Sequence, residues 1–446
     1  VELNVFEKLK KNPPLILGVS FACLILVGAL LLTLPFASAN GKSVGFVNAL
    51  FTSSSASCVT GLVVANTKET WSFFGKLVIL FCIQVGGLGT MTLLCLIYLF
   101  LKRRIGLSER IILKEQLNTH TLTGIVRLIR ALCLFTLVIE GMGAILLSIR
   151  LIPIYGFKLG IGYGVFHSIS AFCNAGFDLF GSSLVPFQSD LYVNLIIMAL
   201  IVVGGLGFQV YIDIYEKRSF KKLSLHSRTV IETSLALIFL GGLAILLLEG
   251  SNPATLGNKS FLDKLLMSFF QSVTARTAGY NSIAIEDMTP RASMVMVVLM
   301  FIGGSSGSTA GGLKTSTFMV IILTVLASIR GQEDVVWHKR KIGQGTIRMA
   351  FVMFFICVFL VLMTTFLLVV FEDGKNSFDL FYEAVSAFAT VGLTRNITSG
   401  LSTASKLVIS LTMFLGRVGP TTVALGLGRR SKKQRIHYAE GNIYIG

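Results

Sequence analysis

Apolar residues run along this chain in long blocks, separated by short polar or basic segments. The clearest blocks cover 15–35, 76–101, 126–149, 192–211, 230–248, 349–371 and 406–425, with two shorter pieces at 294–302 and 318–329. A helix needs about 20 apolar residues to cross a bilayer, so each long block is about one crossing in length. The two short pieces flank a Gly/Ser-rich break and read as one interrupted crossing, which gives eight spanning units. The pattern predicts an all-α membrane protein.

Between the members of each pair of crossings lies a short amphipathic segment that ends in small residues and a glycine. These read FTSSSASCVTGL at 51–62, FHSISAFCNAGF at 166–177, FQSVTARTAGY at 270–280 and YEAVSAFATVGL at 382–393. An aromatic residue, a hydroxyl-Ala step and a Gly-hydrophobic step recur in register, and the third copy is one residue shorter. About 25 residues beyond each glycine comes a second cluster inside an apolar block: VGGLG at 85–89, VGGLG at 203–207, IGGS at 302–305 and LGRVG at 415–419. One copy alone could be an extracellular helix with a turn glycine. Four copies in register predict a repeated unit of span, re-entrant pore helix and span, all in one orientation. The expected architecture is four tandem repeats around one pseudo-fourfold pore. Its boundaries are 1–14 for an N-terminal segment, 15–101 for the first repeat, 102–215 for a loop and the second, 216–330 for a loop and the third with its broken span, 331–426 for a loop and the fourth, and 427–446 for the C-terminal segment.

Composition narrows the function classes. Apolar residues make up 53% and charged residues 14%, too little charge to cover a soluble protein of 446 residues. The net charge of +17 could suggest nucleic acid, but it falls in short clusters between apolar blocks, at 8–11, 102–104, 217–222, 330–341 and 429–435. The alternate loops are poorer in Lys and Arg. This is the positive-inside pattern, and it places both termini in the cytoplasm of a cell-membrane protein. No nucleic-acid motif accompanies the charge, so nucleic acid is not an expected partner. Seven cysteines show no disulfide framework or Cys/His metal spacing, and Cys23, Cys82, Cys95, Cys133 and Cys357 lie in apolar blocks. The first apolar block leads straight into repeated material and is expected to be retained rather than removed as a signal peptide.

The hairpin residues suit a cation. Non-helical backbone at membrane depth is tolerated only where protein buries it or water lines it. A selectivity filter uses such backbone, with rings of carbonyls replacing the hydration shell of the ion. Successive carbonyls point one way only if some residues adopt dihedrals that glycine reaches readily. The short helix before each glycine would direct its negative C-terminal end at the pore. Nearby Ser and Thr hydroxyls could satisfy backbone groups in the turn or contribute to the ion path.

At this point a family resemblance becomes specific. The segments FCNAGF at 172–177, RTAGYN at 276–281 and TVGLT at 390–394 are similar to the pore loops of the Ktr/Trk/HKT superfamily, and the chain most resembles its bacterial Ktr membrane subunits (KtrB type), from the first span to about residue 426. The resemblance implies a potassium uptake subunit with a filter of single glycines. It assigns the K+ filter to backbone of Thr60, Gly61, Ala175, Gly176, Ala278, Gly279, Val391 and Gly392. Glycine in the first hairpin accompanies potassium preference in that family, whereas serine there accompanies sodium transport in plant relatives. The Thr-Val-Gly-Tyr-Gly run of tetrameric potassium channels is absent.

The third unit carries ten consecutive small or hydroxyl residues, Gly303, Gly304, Ser305, Ser306, Gly307, Ser308, Thr309, Ala310, Gly311 and Gly312, followed by Leu313 and Lys314. Each glycine costs a helix about 1 kcal/mol relative to alanine. Only about 9 apolar residues precede the break, so it is expected inside the bilayer rather than at its surface. The resemblance makes this segment an intramembrane gate. It lacks the spacing of a phosphate-binding loop. Arg417 falls in the last glycine cluster; a fixed charge ~8 Å from a passing cation at an effective dielectric of ~20 opposes it by about 2 kcal/mol. It is expected either to set a barrier and hold the gate or to pair with a buried carboxylate. Glu140, His167 and Glu383 are expected to be structural.

The parallel fourfold repeats favour a channel-like pore over the inverted repeats common in secondary transporters, with a tightly sodium-coupled cation symporter as the alternative. No nucleophile-base set or metal cluster suggests an enzyme, and no cofactor is expected on this chain; K+ is the expected cargo, with Na+ left open. The resemblance further implies a homodimer seated on a cytosolic ring of nucleotide-binding regulatory subunits (KtrA type), where ATP favours activity and ADP does not.

Overall fold

The computed structural model describes residues 13–89 and 125–419. The terminal segments, the end of the second expected crossing from residue 90, the basic loop through residue 124, and the last expected crossing beyond residue 419 lie outside the described residues.

In chain order the described helices form four successive units. The first comprises α1 (Pro13–Thr33), α2 (Phe46–Ser57) and α3 (Phe73–Leu88). The second comprises α4 (Ile125–Tyr155), α5 (Phe157–Phe172) and α6 (Leu191–Gly205), continued by α7 (Phe208–Lys217). The third comprises α8 (Leu225–Glu249), α9 (Phe261–Thr274), α10 (Pro290–Phe301) and α11 (Thr315–Ile329). The fourth comprises α12 (Gln344–Phe371), α13 (Ser377–Ala389) and α14 (Thr403–Val418). Local chemistry sets many of the helix starts: side chains of Ser72, Asp190, Ser224, Ser260, Thr289, Asn376 and Ser402 each accept a hydrogen bond from a backbone N–H in the first turn. Helices α2 and α5 instead follow Gly45 and Gly156, both at positive φ.

The outer helices α1, α4, α8 and α12 are long and apolar enough to cross a bilayer, and they present exposed Leu134, Leu137, Leu240, Leu247 and Phe355 outward. Water would not tolerate such faces over whole helices, whereas lipid suits them. The chain is a membrane protein. The inner helices are shorter, at 16, 15, 12 and 16 residues for α3, α6, α10 and α14.

Recurrent polar ties hold the short pore-type helices (α2, α5, α9) to the outer helices. Ser53 Oγ donates to the Ile25 carbonyl at 2.7 Å, Ser168 Oγ to Glu140 O at 2.6 Å, and Ser272 Oγ to Ile238 O at 2.9 Å. A glycine on each outer helix makes room, since a Cβ at Gly28, Gly143 or Gly241 would overlap the serine hydroxyl. In the fourth unit the position is Ala384, packed with Ile25, Phe51 and Leu368 in an apolar cluster.

The inner-helix glycine clusters pack as their sequence predicts. A Cβ at Gly86, Gly204 or Gly416 would collide with the carbonyl of Ser57, Phe172 or Phe388 respectively, at the end of its unit's short helix. One expectation needs correction. The segment 192–211 is not one straight crossing: α6 and α7 meet at 90°. Glycines at positive φ mark the inner-helix ends, since α3 and α14 are capped by Gly89 and Gly419 (φ of 88° and 91°) and α7 starts from Gly207 (φ of 91°). In the third unit the helix stops one residue before the glycine pair, at Ile302, and residues 303–314 form no helix. The sequence also gave no sign of the antiparallel pair β1 (Val336–Trp337) and β2 (Arg340–Lys341), which joins α11 to α12.

Gly416→Ala places a methyl group into the Phe388 carbonyl and is expected to destabilise the fold by about 1–3 kcal/mol. Gly18→Ala, inside α1 with nothing within 4 Å, is the control, expected to leave stability unchanged or raise it by up to about 1 kcal/mol because alanine favours a helix. Thermal unfolding in detergent distinguishes the two.

Candidate ion-conducting site

Each short helix ends in the same backbone figure. The residue two before the glycine is left-handed in every unit: Val59 at φ 57°, Asn174 at 59°, Thr277 at 70° and Thr390 at 52°. The glycines that follow, Gly61, Gly176, Gly279 and Gly392, have φ of 95°, 68°, 76° and 92°. Thr60, Ala175, Ala278 and Val391, between them, keep negative φ. Non-glycine residues enter the left-handed region at a cost, and four of them doing so at one position marks a constrained site.

Hydroxyl groups secure this figure. Ser55 Oγ accepts from Gly61 N at 3.0 Å and Ser386 Oγ from Gly392 N at 3.1 Å. Ser170 Oγ donates to Phe177 O at 2.9 Å and Thr274 Oγ1 to Tyr280 O at 2.6 Å. Thr274 stands one residue nearer its glycine than the others do, so the shorter third hairpin keeps its hydroxyl in place. The hydroxyl-Ala step was visible in the sequence, but its role as the brace of each turn was not.

The four glycines meet in one closed cycle. A methyl group at Gly61 would lie 2.6 Å from Ala175 O, one at Gly176 would lie 2.9 Å from Ala278 O, and one at Gly279 would lie 2.6 Å from Val391 O. At Gly392 it would collide with Thr60 O, which closes the ring. The structure therefore brings together all eight residues predicted for this site, with the carbonyls of Thr60, Ala175, Ala278 and Val391 turned towards the neighbouring glycines. Each glycine is required twice, by its φ and by the next hairpin.

The 303–314 loop packs against this ring from the side of the inner-helix ends. Thr309 Oγ1 donates to Gly204 O at 3.1 Å, and Ser305 N donates to Gly205 O at 3.1 Å. Ser305 Oγ donates to Leu206 O, and Phe208 N donates back to Gly307 O at 3.0 Å. The α6 carbonyls left free where that helix stops are thus taken up by the loop. On its other flank Gly311 and Gly312 abut Ala389 and Thr390 of the fourth hairpin, while Gly303 backs onto Gly311. Ser308 Oγ donates to Ser305 O at 2.7 Å, Ser306 and Ser316 share a hydroxyl contact at 3.3 Å, and Gly304 packs on Ala310. The seat on α6 had no signal in the sequence beyond the second glycine cluster.

Arg417 crosses the space beneath the ring. Its guanidinium donates to Thr309 O on the loop and to the carbonyls of Gly86 and Gly87 in the first unit. Of the two alternatives for Arg417, the described contacts include the loop and no carboxylate: among the described residues its partners are all backbone carbonyls. Lys314 Nζ donates to Ala310 O at 2.6 Å and adds a second cation beside the loop. Arg276, three residues before Gly279, is buried and bonds to Ser234 Oγ at 2.9 Å.

The remaining ionisable candidates are tied into the fold by hydrogen bonds. His167 donates from Nδ1 to Tyr163 O at 2.7 Å, accepts at Nε2 from Leu179 N, and stacks on Phe180. Glu383 accepts from the hydroxyls of Thr394 and Thr398, and Glu140 from Gln84 Nε2 at 3.1 Å.

Apolar outer helices, converging hairpin carbonyls and a non-helical loop at the inner-helix ends define a membrane protein of the ion-translocating class. Residues 11–430 match the family model described as TrkH, cation transport protein, and the chain belongs to that family. It is 40% identical over 443 residues to the Ktr system potassium uptake protein B of Bacillus subtilis, covering 99% of each chain. It is 40% identical to the potassium/sodium uptake protein NtpJ of Enterococcus hirae, covering 98% of this chain and 97% of that one. The crystal structure of the potassium transporter TrkH from Vibrio parahaemolyticus superposes with a TM-score of 0.74 at 18% identity, over 93% of this chain and 84% of that chain. That likeness establishes the fold.

Ser386→Ala leaves Gly392 N buried without its hydroxyl partner and is expected to cost about 1–3 kcal/mol. Chemical unfolding in detergent measures the loss, and Ser386→Thr should recover most of it.

Proposed function

We propose that this chain is the K+-translocating membrane subunit of a potassium uptake system. The observation that carries the reading is the closed cycle of Gly61, Gly176, Gly279 and Gly392, with each adjoining carbonyl set against the glycine of the neighbouring hairpin. In this reading the four units surround one pseudo-fourfold pore, and K+ passes with part of its hydration shell replaced by carbonyls. No side chain at the glycine positions could remain without displacing a carbonyl.

The 303–314 loop is the gate. It is non-helical, it lies against the ring, and it is held by hydrogen bonds that can be exchanged one at a time rather than by a packed helix. Arg417 acts on it in two ways. Its bonds to Thr309, Gly86 and Gly87 tie the loop to the first unit, and its charge opposes a cation passing beneath the ring. The membrane is the cell membrane, with the inner-helix ends and both termini on the cytoplasmic side.

Relatives named as parts of a Ktr system support a multi-component assembly. We place a homodimer of this chain on a cytosolic nucleotide-binding ring, with ATP and ADP on the ring and no cofactor on this chain. The relative named for potassium and sodium uptake keeps a second reading open, a tightly sodium-coupled symporter.

Flux of K+ and Na+ in proteoliposomes tests the proposal. The unmodified chain should favour K+, and K+ flux that stops when Na+ is withdrawn would establish the symporter instead. Gly61→Ser is expected to lower the K+/Na+ ratio by about tenfold, or 1.4 kcal/mol, and unchanged selectivity would remove Gly61 from the filter. Arg417→Gln removes a barrier of about 2 kcal/mol and should raise K+ flux some tens of times. Unaltered kinetics would remove Arg417 from the gate.

A further inference from the structure

The bend between α6 and α7 links two places that the proposed pathway does not itself connect. At its upper end, the 303–314 loop is hydrogen-bonded to Gly204, Gly205, Leu206 and Phe208. The bend is braced: Tyr211 Oη donates to Val203 O at 2.6 Å and its ring rests 4.9 Å from that of Phe135. A push on α7 is therefore carried to the loop rather than absorbed at a slack joint.

At its lower end, α7 reaches the level of the first turn of the spanning helix α8. Asp213 Oδ2 accepts from Ser224 N at 2.7 Å, and Ser224 is the residue that caps α8. In a bilayer crossed by α8, the first turn of that helix lies towards one headgroup layer. Here the chain exposes Lys217, Arg218, Lys221 and Lys222 together with Ile214, Tyr215 and Phe220; Tyr215 is 76% exposed and Phe220 46%. Arg218 lies over the Tyr215 ring at 6.0 Å and Arg228 over the Phe220 ring at 5.5 Å. Glu216 is the one exposed acid of this stretch.

We infer that residues 214–222 dock on anionic lipid headgroups, and that α7 transmits this contact as a strut to the 303–314 loop. Basic residues interleaved with aromatic and aliphatic ones at the end of a crossing suit an anionic membrane surface. The aromatic and aliphatic side chains enter the interface while the cations meet phosphate. A water-facing protein contact would account for the charges but leave Ile214, Tyr215 and Phe220 without an apolar phase. The coupling to the loop rests on the gate reading above, whereas the docking does not.

The test uses the full chain in vesicles of phosphatidylcholine alone or doped with phosphatidylglycerol, with hydrogen exchange of residues 208–222 and K+ flux measured on the same samples. Phosphatidylglycerol should slow exchange in this stretch and change the flux. Each neutralised cation should reduce the phosphatidylglycerol-dependent protection about fivefold. Replacing the four cations together (Lys217→Gln, Arg218→Gln, Lys221→Gln and Lys222→Gln) should abolish both responses, while Arg340→Gln with Lys341→Gln, on the β1–β2 pair, should leave them intact. Tyr215→Ala with Phe220→Ala should weaken the protection without altering charge. Exchange indifferent to phosphatidylglycerol overturns the docking. So does protection that appears only when a cytosolic protein is added, which would make the patch a protein interface. Protection that depends on phosphatidylglycerol with unchanged flux upholds the docking and overturns the strut.

Discussion

Backbone that makes no helical hydrogen bonds cannot be left bare at the depth of a bilayer, and the rest of this molecule follows from that constraint. Residues 58–62, 173–177, 275–280 and 390–393 leave the helix in mid-protein. The hydroxyls of Ser55, Ser170, Thr274 and Ser386 each take up one backbone group of these turns, and the carbonyls of Thr60, Ala175, Ala278 and Val391 lie against the neighbouring glycines. The short helices must stop where they do for this to happen. The inner helices must carry glycine where they pass behind, because the carbonyls of Ser57, Phe172 and Phe388 occupy the space of a side chain.

The same constraint explains the 303–314 loop. A broken helix exposes free carbonyls on one side of the break and free N–H groups on the other. Here the breaks are paired. The carbonyls ending α6 accept from Ser305 and Thr309, and Phe208, which restarts the chain as α7, donates to the loop. Two breaks that would each be costly satisfy one another across a unit boundary. Arg417 completes the arrangement by gathering carbonyls from the first unit and the loop. A loop held in this way is specific in position yet rests on few apolar contacts, which is the character expected of a movable element.

Departures from fourfold symmetry are concentrated between the second and third units. The third hairpin is one residue shorter, carries Arg276 where the first and second have Cys58 and Cys173, and is followed by the long break. The second unit supplies the seat for that break and continues into α7. The fourth contributes Arg417. The described contacts of the 303–314 loop thus lie at the boundaries between units, with α6 of the second and with the fourth hairpin and Arg417 of the fourth.

Much of this was legible in the chain itself. Apolar block length predicted the membrane, and the recurrence of a hydroxyl-Ala step, a glycine and a later glycine pair predicted four related units, because repeated backbone demands leave repeated small residues. Gly61, Gly176, Gly279 and Gly392 could be named for the same reason: few other residues tolerate their φ. The partners of Arg417, the 90° bend at Gly207 and the seating of Ser305 and Thr309 on α6 could not be read there. They depend on carbonyls, and every residue has a carbonyl, so sequence carries no mark of which one will be free and within reach. Only the packing of the four units decides that.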